Sequence, residues 1–93
     1  MIVNFKCKQT EELFRGKYIK KLPKELYIIA IRKLKMLDAT TVLHDLKIPP
    51  GNKLEALKDD RKGQHSIRIN DKWRICFKWK EGNALNVEIV DYH

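Results

Sequence analysis

Residues 65–79 read HSIRINDKWRICFKW, a stretch in which apolar and polar side chains alternate on both sides of a short polar break. The apolar positions are Ile67, Ile69, Trp73, Ile75, Phe77 and Trp79. Alternation with a period of two is typical of a strand with one covered face, and the polar break at residues 70–72 is typical of a tight hairpin. We therefore predict two antiparallel strands, with an apolar face toward the core and a polar face that carries Arg68 and Arg74.

Strand-like patterns also flank this hairpin. Residues 53–57 predict a strand before it, and a charged turn at residues 59–63 connects the two. Residues 85–92 predict a further strand, which follows a turn at residues 81–83. In this last strand, alternation places three apolar residues on one face: Leu85, Val87 and Ile89. The second half of the chain is thus predicted to form an antiparallel meander.

The first half of the chain has helical periodicity. After a short strand at residues 1–5, residues 9–14 predict a helix with Thr10 as its candidate N-cap. Residues 23–38 predict a longer amphipathic helix that begins at a proline. Its apolar positions are Leu26, Ala30, Leu34 and Leu37. Residues 39–52 predict a loop with one short turn near its middle.

Helices followed by an antiparallel meander predict an α+β fold. We expect an N-terminal strand and two helices to pack on one face of a mostly antiparallel sheet of four to five strands. Residues 1–93 are enough for a single small domain with one modest core. A domain of this size has no deep interior, so we expect any functional site to be an open groove on the surface.

The charge balance points to polyanionic partners. The chain carries 20 Lys and Arg against 12 Asp and Glu, a formal net charge of +8. Such an excess favours nucleic acid, an acidic protein or an anionic membrane surface, and it is equally compatible with a basic surface that contacts only water. Residues 1–37 and residues 53–80 are both basic, so the positive charge is spread over the chain.

Several classes of site have no motif in this sequence. It has no phosphate-binding glycine loop, no zinc-ligand spacing and no apolar run of the ~18 residues that a membrane span needs. Cys7 and Cys76 form no CxxC motif, and two thiols without a signal-peptide pattern fit a reducing compartment. We therefore expect a cytoplasmic protein with no metal, no cofactor and no membrane partner.

The polar face of the predicted sheet favours phosphate chemistry. Arg68 and Arg74 lie on it, Lys58 lies just before it, and three acid–base groups follow the last strand: Asp91, Tyr92 and His93. Attack of an RNA 2′-hydroxyl on the adjacent phosphorus needs a base, an acid and cations that stabilise the added negative charge, and it needs no metal. The cations are candidates for charge stabilisation. The final triplet and His65 are candidates for proton transfer and base stacking.

The residue pattern leaves two alternatives open. The arginines could contact only water, or could pair with a nearby carboxylate such as Glu88 instead of a substrate.

Strict alternation places Tyr92 on the polar face and puts Asp91 and His93 on the opposite face. Either the end of the strand bends, or Tyr92 alone faces the groove while the other two residues have supporting roles.

Four segments carry motifs of a known family. They are residues 54–63 (LEALKDDRKG), residues 66–70 (SIRIN), residues 73–77 (WRICF) and the final DYH. Together they resemble the HigB toxins, also called plasmid maintenance system killer proteins, within the RelE/ParE superfamily. The resemblance extends over nearly the whole chain and implies the small RelE-like fold.

The resemblance also implies an activity and partners. HigB-like proteins are ribosome-dependent mRNA interferases, metal-independent endoribonucleases that cut translated mRNA in the aminoacyl site. The resemblance implies a toxin of a type II toxin–antitoxin system with a HigA-like helix-turn-helix antitoxin, and operator DNA bound only through the toxin–antitoxin complex. The family's active-site lysine and arginine map to Lys58 and Arg74. Its terminal residues map to Asp91, Tyr92 and His93. Further RNA contacts are expected from Arg61, His65, Arg68 and Lys78.

Two positions depart from the family pattern. Glu55 stands where some members have His, and Asn70 stands where some have Arg. Arg68, two residues before Asn70 on the same predicted face, could replace the missing charge, and Glu55 could either lower activity or act as a base. The alternatives to an mRNA interferase are therefore a ParE-like, non-nucleolytic inhibitor of DNA gyrase and an RNA- or antitoxin-binding module whose catalysis has decayed.

Overall fold

An antiparallel sheet forms the second half of the chain. The computed structural model describes residues 1–91. The four strands are β1 (Glu55–Ala56), β2 (Gln64–Arg68), β3 (Trp73–Lys80) and β4 (Asn83–Asp91). They lie side by side in sequence order, and each pairs with the next in antiparallel orientation. The predicted α+β class and meander are confirmed, although the first strand is shorter than residues 53–57 predicted.

The register between β2 and β3 confirms the predicted hairpin. Ile67 lies opposite Ile75 on the core face, and Arg68 lies opposite Arg74 on the polar face. Both isoleucines are fully buried. The Asn70 side chain closes the turn, because its Oδ1 accepts hydrogen bonds from the backbone N–H groups of residues 72 and 73 at 2.9 and 2.8 Å.

A β-bulge changes the alternation of β4. Cys76 pairs with Glu88 and Lys78 pairs with Leu85, so residues 86–87 both stand opposite the single residue 77. One extra residue moves the side chains before it to the other face. The prediction that Leu85 shares a face with Val87 and Ile89 is therefore wrong. Ala84, and not Leu85, is fully buried on the core face, where it stands opposite Trp79.

Two helices cover the apolar face of the sheet, as predicted. Helix α1 spans Lys8–Phe14, and a 3₁₀ turn at Lys24–Leu26 leads into helix α2, which spans Tyr27–Ala39. The fully buried apolar side chains of the helices are Leu13, Ala30, Leu34 and Leu37, which pack in one core cluster with the apolar side chains of the strands. The segment at residues 40–54 contains two further 3₁₀ turns, at Leu43–Lys47 and Pro50–Asn52.

The N-terminal segment adds a partial fifth strand. Ile2 and Phe5 form isolated parallel bridges to β4. The backbone N–H of Val3 donates to the Ala84 carbonyl at 2.8 Å. The backbone N–H of Ile2 donates to Asp38 Oδ1 at 2.8 Å, which ties the segment to the end of α2. The predicted N-terminal strand is thus present as bridges and not as a continuous ladder.

Thr10 is a core residue and not a helix cap. Helix α1 begins at Lys8, and Cys7 occupies the N-cap position without a side-chain hydrogen bond. Thr10 is fully buried, and its Oγ1 accepts a hydrogen bond from the backbone N–H of Ile89 at 3.0 Å. The predicted capping role is therefore wrong. The hydroxyl instead joins α1 to β4 inside the core.

Replacing this hydroxyl should destabilise the fold without creating a cavity. Thr10→Val has nearly the same shape but leaves the buried Ile89 N–H without its acceptor, which costs about 1–3 kcal/mol. Urea unfolding followed by circular dichroism measures the change. Thr10→Ser should retain more of the stability, and Thr41→Val, at an exposed position, should have no effect. A Thr10→Val protein as stable as the wild type would show that this bond does not contribute.

His65 provides a pH-dependent contribution to stability. It pairs with Phe77 across β2 and β3, and the two ring centres lie 6.0 Å apart. Burial lowers the pKa of His65 below its ordinary value of 6.5. The unfolded chain therefore binds this proton more readily than the folded protein, and stability should fall as the pH drops from above 6.5 through the lowered pKa.

The free energy of unfolding at pH 7.5 and at pH 5.0 tests this contribution. His65→Gln should lose less stability between the two values than the wild type. His44→Gln, which changes an exposed histidine, should keep the wild-type dependence. Equal pH dependence in the wild type and His65→Gln would show that His65 is not responsible.

Candidate active site

Arg74 is held in place on the polar face of the sheet. It is only 9% exposed, although it lies on the face opposite the main core. Its Nε donates to Ser66 Oγ at 2.7 Å, and its Nη2 donates to the Lys53 carbonyl at 2.6 Å. The guanidinium is therefore oriented by β2 and by the residue that lies two positions before β1. It is not a solvated side chain.

A carboxylate lies directly beside this guanidinium. Glu55 stands opposite Ser66 in the β1–β2 pairing, and its Oε1 is 3.7 Å from Arg74 Nε. Its side chain is about half exposed, at 49%. An exposed carboxylate next to a fixed cation can accept a proton from a bound hydroxyl while the cation stabilises negative charge on a neighbouring oxygen. The departure seen in sequence is thus part of the site.

A second, buried acidic group lies further along the same face. Glu88 is 9% exposed and stands opposite Cys76. Its two oxygens lie 3.5 Å from Arg61 Nη2 and 3.5 Å from Lys6 Nζ. Cys76 is fully buried, and that burial raises the pKa of its thiol. The thiol therefore stays protonated at neutral pH, where it is a poor nucleophile.

The remaining predicted cations lie at different positions along the sheet relative to Arg74. Arg68 stands directly opposite Arg74 and pairs with the exposed Asp71. Lys78 is exposed on the same face, four residues further along β3. Lys58 is exposed and immediately precedes the 3₁₀ turn Asp59–Arg61, three residues beyond Glu55. The register thus puts Arg68 at one end of the site, and it puts Lys58 and Lys78 toward the other.

Arg61 has partners within the protein. Besides its ion pair with Glu88, Arg61 Nη1 donates to Gln64 Oε1 at 3.1 Å. The alternative from sequence paired Arg68 or Arg74 with a carboxylate such as Glu88, whereas the structure pairs Glu88 with Arg61. Arg68 and Arg74 pair instead with Asp71 and Glu55.

Two of the predicted residues lie on the face of the sheet opposite Arg74. His65 shares the face of Phe77, against which it packs. Asp91 stands opposite Trp73, and its Oδ2 lies 3.5 Å from Lys72 Nζ. Alternation had predicted this position for Asp91. Tyr92 and His93 lie outside the residues that the structure describes.

Two groups that hold Arg74 were not identified from sequence. Ser66 falls on the polar face by the same alternation that places Arg68 there, and its diagonal position relative to Arg74 in the hairpin was a usable signal. The Lys53 carbonyl had no such signal, because it reaches Arg74 through a left-handed backbone conformation, with φ of 44°. Within residues 1–91, no three His, Cys, Asp or Glu side chains are placed to hold a metal ion. Nor is any helix in this part of the chain long and apolar enough to span a membrane.

Comparison with known proteins identifies the family. The model of the family described as the RelE-like toxin of type II toxin–antitoxin system HigB matches residues 3–93. Toxin HigB-1 of Vibrio cholerae is 40% identical over 87 residues, which are 92% of each chain. Endoribonuclease HigB of Proteus vulgaris is 32% identical over 93 residues, the full length of both chains. An uncharacterised protein of Haemophilus influenzae is 38% identical over 73 residues, which are 78% of this chain and 71% of that protein. The chain therefore belongs to the HigB family of RelE-like toxins, whose type II systems pair each toxin with an antitoxin.

Proposed function

We propose that this chain is an endoribonuclease toxin that cuts mRNA on the ribosome. The observation that carries the proposal is the buried Arg74, held by Ser66 and Lys53, with the half-exposed Glu55 beside it. A full-length relative, from Proteus vulgaris, is named an endoribonuclease. The polar face also carries exposed cations that would bind the RNA backbone.

Arg74 would stabilise the transition state of phosphodiester cleavage. Attack of the 2′-hydroxyl on phosphorus adds negative charge to the phosphoryl oxygens. A guanidinium whose orientation is set before the substrate arrives stabilises that charge without reorganising. Lys58 would contribute further positive charge. We propose that no metal ion takes part, because the cations and acid–base groups of the chain supply what this reaction needs.

Proton transfer would involve the carboxylates and the final residues. Glu55 is placed to accept the proton of the attacking hydroxyl beside Arg74. His93 would assist proton transfer to the leaving oxygen, and Tyr92 would orient or stack against a base. Asp91, on the face of the sheet opposite Arg74, would have a supporting role. Arg61, Arg68 and Lys78 remain the predicted RNA contacts on this face, whereas His65 would have to contact RNA from the opposite face, where it packs against Phe77.

The setting of this reaction would be the aminoacyl site of a translating ribosome in the cytoplasm. The net charge of +8 would favour contact with ribosomal RNA, and this contact should weaken as salt increases. The antitoxin partner would be a HigA-like helix-turn-helix protein. Operator DNA would be bound through the toxin–antitoxin complex and not by the toxin alone.

Replacing Arg74 should abolish most of the cleavage while the fold remains intact. Loss of one preorganised donor to a developing oxyanion lowers the rate by roughly 10²–10³, so Arg74→Ala should fall at least that far and Arg74→Lys should recover little. Primer extension on mRNA in a purified translation system measures cutting, and circular dichroism checks folding. Arg15→Ala, at an exposed arginine directly after α1, is the matched control.

Three outcomes would contradict the proposal. Undiminished cutting by Arg74→Ala, and by a chain without His93, would exclude the mechanism. Co-sedimentation of the wild type with ribosomes, without cutting, would favour a decayed binding module. DNA damage signalling in cells that express the chain, without mRNA cutting, would favour an inhibitor of DNA gyrase.

Glu55→Gln distinguishes a base from a residue that only reduces charge. Removal of a general base should lower kcat by about 10²-fold or more, since such groups typically contribute 10²–10⁴. The neutral variant should leave KM nearly unchanged or lower it, because the loss of a negative charge makes the polar face more attractive to RNA phosphates. The control is Glu25→Gln, at an exposed position before α2. If Glu55→Gln cuts mRNA as fast as the wild type or faster, Glu55 is not the base.

A further inference from the structure

A buried amide lies next to the residue that holds Arg74. Asn52 is fully buried at the end of the 3₁₀ turn Pro50–Asn52. Its Nδ2 donates to the backbone carbonyls of Leu46 at 3.0 Å and Ile48 at 3.4 Å. Its Oδ1 accepts a hydrogen bond from Lys33 Nζ on helix α2. Both ends of the amide are therefore used to fix residues 46–52 against the helix.

Lys33 is an unusual residue in this position. Its side chain is 8% exposed, whereas lysines are almost never buried without a partner. Burial lowers its pKa, and the positive charges of Arg68 and Arg32 lower it further. Among residues 1–91, the side chain that receives the Lys33 hydrogen bond is Asn52. Burying a lysine is costly. We therefore expect its hydrogen bond to Asn52 to fix the position of residues 46–52.

The residue directly after Asn52 supplies the carbonyl that holds Arg74. Lys53 adopts a left-handed conformation, with φ of 44° and ψ of 55°. Such a conformation is unfavourable for a residue other than glycine, so the surrounding structure must impose it. The backbone N–H of Lys53 donates to the Pro50 carbonyl at 3.1 Å, and its own carbonyl accepts from Arg74 Nη2 at 2.6 Å.

We infer that Lys33 and Asn52 are positioning residues for Arg74. Their hydrogen bond fixes the turn at residues 50–52, the turn imposes the conformation of Lys53, and the Lys53 carbonyl orients the Arg74 guanidinium. The catalytic part of this inference rests on the proposed function, whereas the structural part does not. Helix α2, which packs on the apolar face of the sheet, thereby controls the geometry of the site on the polar face.

Nitrogen-15 NMR of the arginine side chain tests the structural part directly. In the wild type, the Nε and Nη signals of Arg74 should show slow rotation of the guanidinium, assigned by their loss in Arg74→Lys. Lys33→Met removes the bond to Asn52 at similar volume and should speed this rotation and shift the Nε signal. Lys35→Met, an exposed position on the same helix, should leave both unchanged. Unaltered Arg74 signals in Lys33→Met would overturn the inference.

A second variant covers the case in which Lys33→Met does not fold. Asn52→Asp keeps an acceptor for Lys33 but loses the donors to the Leu46 and Ile48 carbonyls, so the Arg74 signals should shift here too. If they remain as in the wild type, residues 46–52 do not set the position of Arg74.

Kinetics tests the catalytic part. Lys33→Met should lower kcat by about ten- to a hundredfold, within the range of a misplacement of about 1 Å, while KM changes less than about twofold. In an Arg74→Lys background, Lys33→Met should cause no further loss, because the residue it positions is already gone. Equal losses in both backgrounds would show a general structural effect. If the wild type does not cut mRNA, the proposed function fails, and the NMR result still decides the structural inference.

Discussion

The pairing of β2 with β3 is the constraint on which both the core and the site depend. The register that puts Ile67 opposite Ile75 in the core also puts Arg68 opposite Arg74 on the other face, with Ser66 close enough to bind the guanidinium. A slip of one residue would exchange the faces of every side chain in the strand. It would bury the arginines and expose the isoleucines at the same time. The stability of the apolar face therefore enforces the arrangement of the polar one.

Much of this frame could be predicted from sequence, because it depends on short-range periodicity. The hairpin at residues 65–79 and the helix that became α2 follow directly from spacings of two and of three to four residues. The bulge in β4 could not be predicted, because one extra residue at Asn86 leaves no mark in the apolar pattern and inverts the face of Leu85. Thr10 had the right chemistry for a cap, but its burial against Ile89 is a tertiary contact that no local pattern records.

The sequence was enough to predict the cations of the candidate site, but not the groups that orient Arg74. Arg68 and Arg74 fall on one face by alternation alone, whereas His65 packs on the other face with Phe77. The Lys53 carbonyl comes from a turn far from Arg74 in sequence, so its contribution depends on the folded chain. The structure adds most to the interpretation of Glu55. The sequence shows only that Glu55 departs from the family pattern, whereas the structure places its carboxylate beside the Arg74 guanidinium.

We propose that the polar face of the sheet preorganises one arginine for the charge that develops during RNA cleavage. The most direct measurement is a structure of this toxin on a translating ribosome, with an mRNA that carries a 2′-O-methyl group at the cut site to prevent the reaction. We predict that the scissile phosphate lies within hydrogen-bonding distance of the Arg74 guanidinium, with Glu55 near the blocked oxygen. An mRNA bound elsewhere on the toxin, with Arg74 still enclosed by Ser66 and Lys53 and away from any phosphate, would contradict this mechanism.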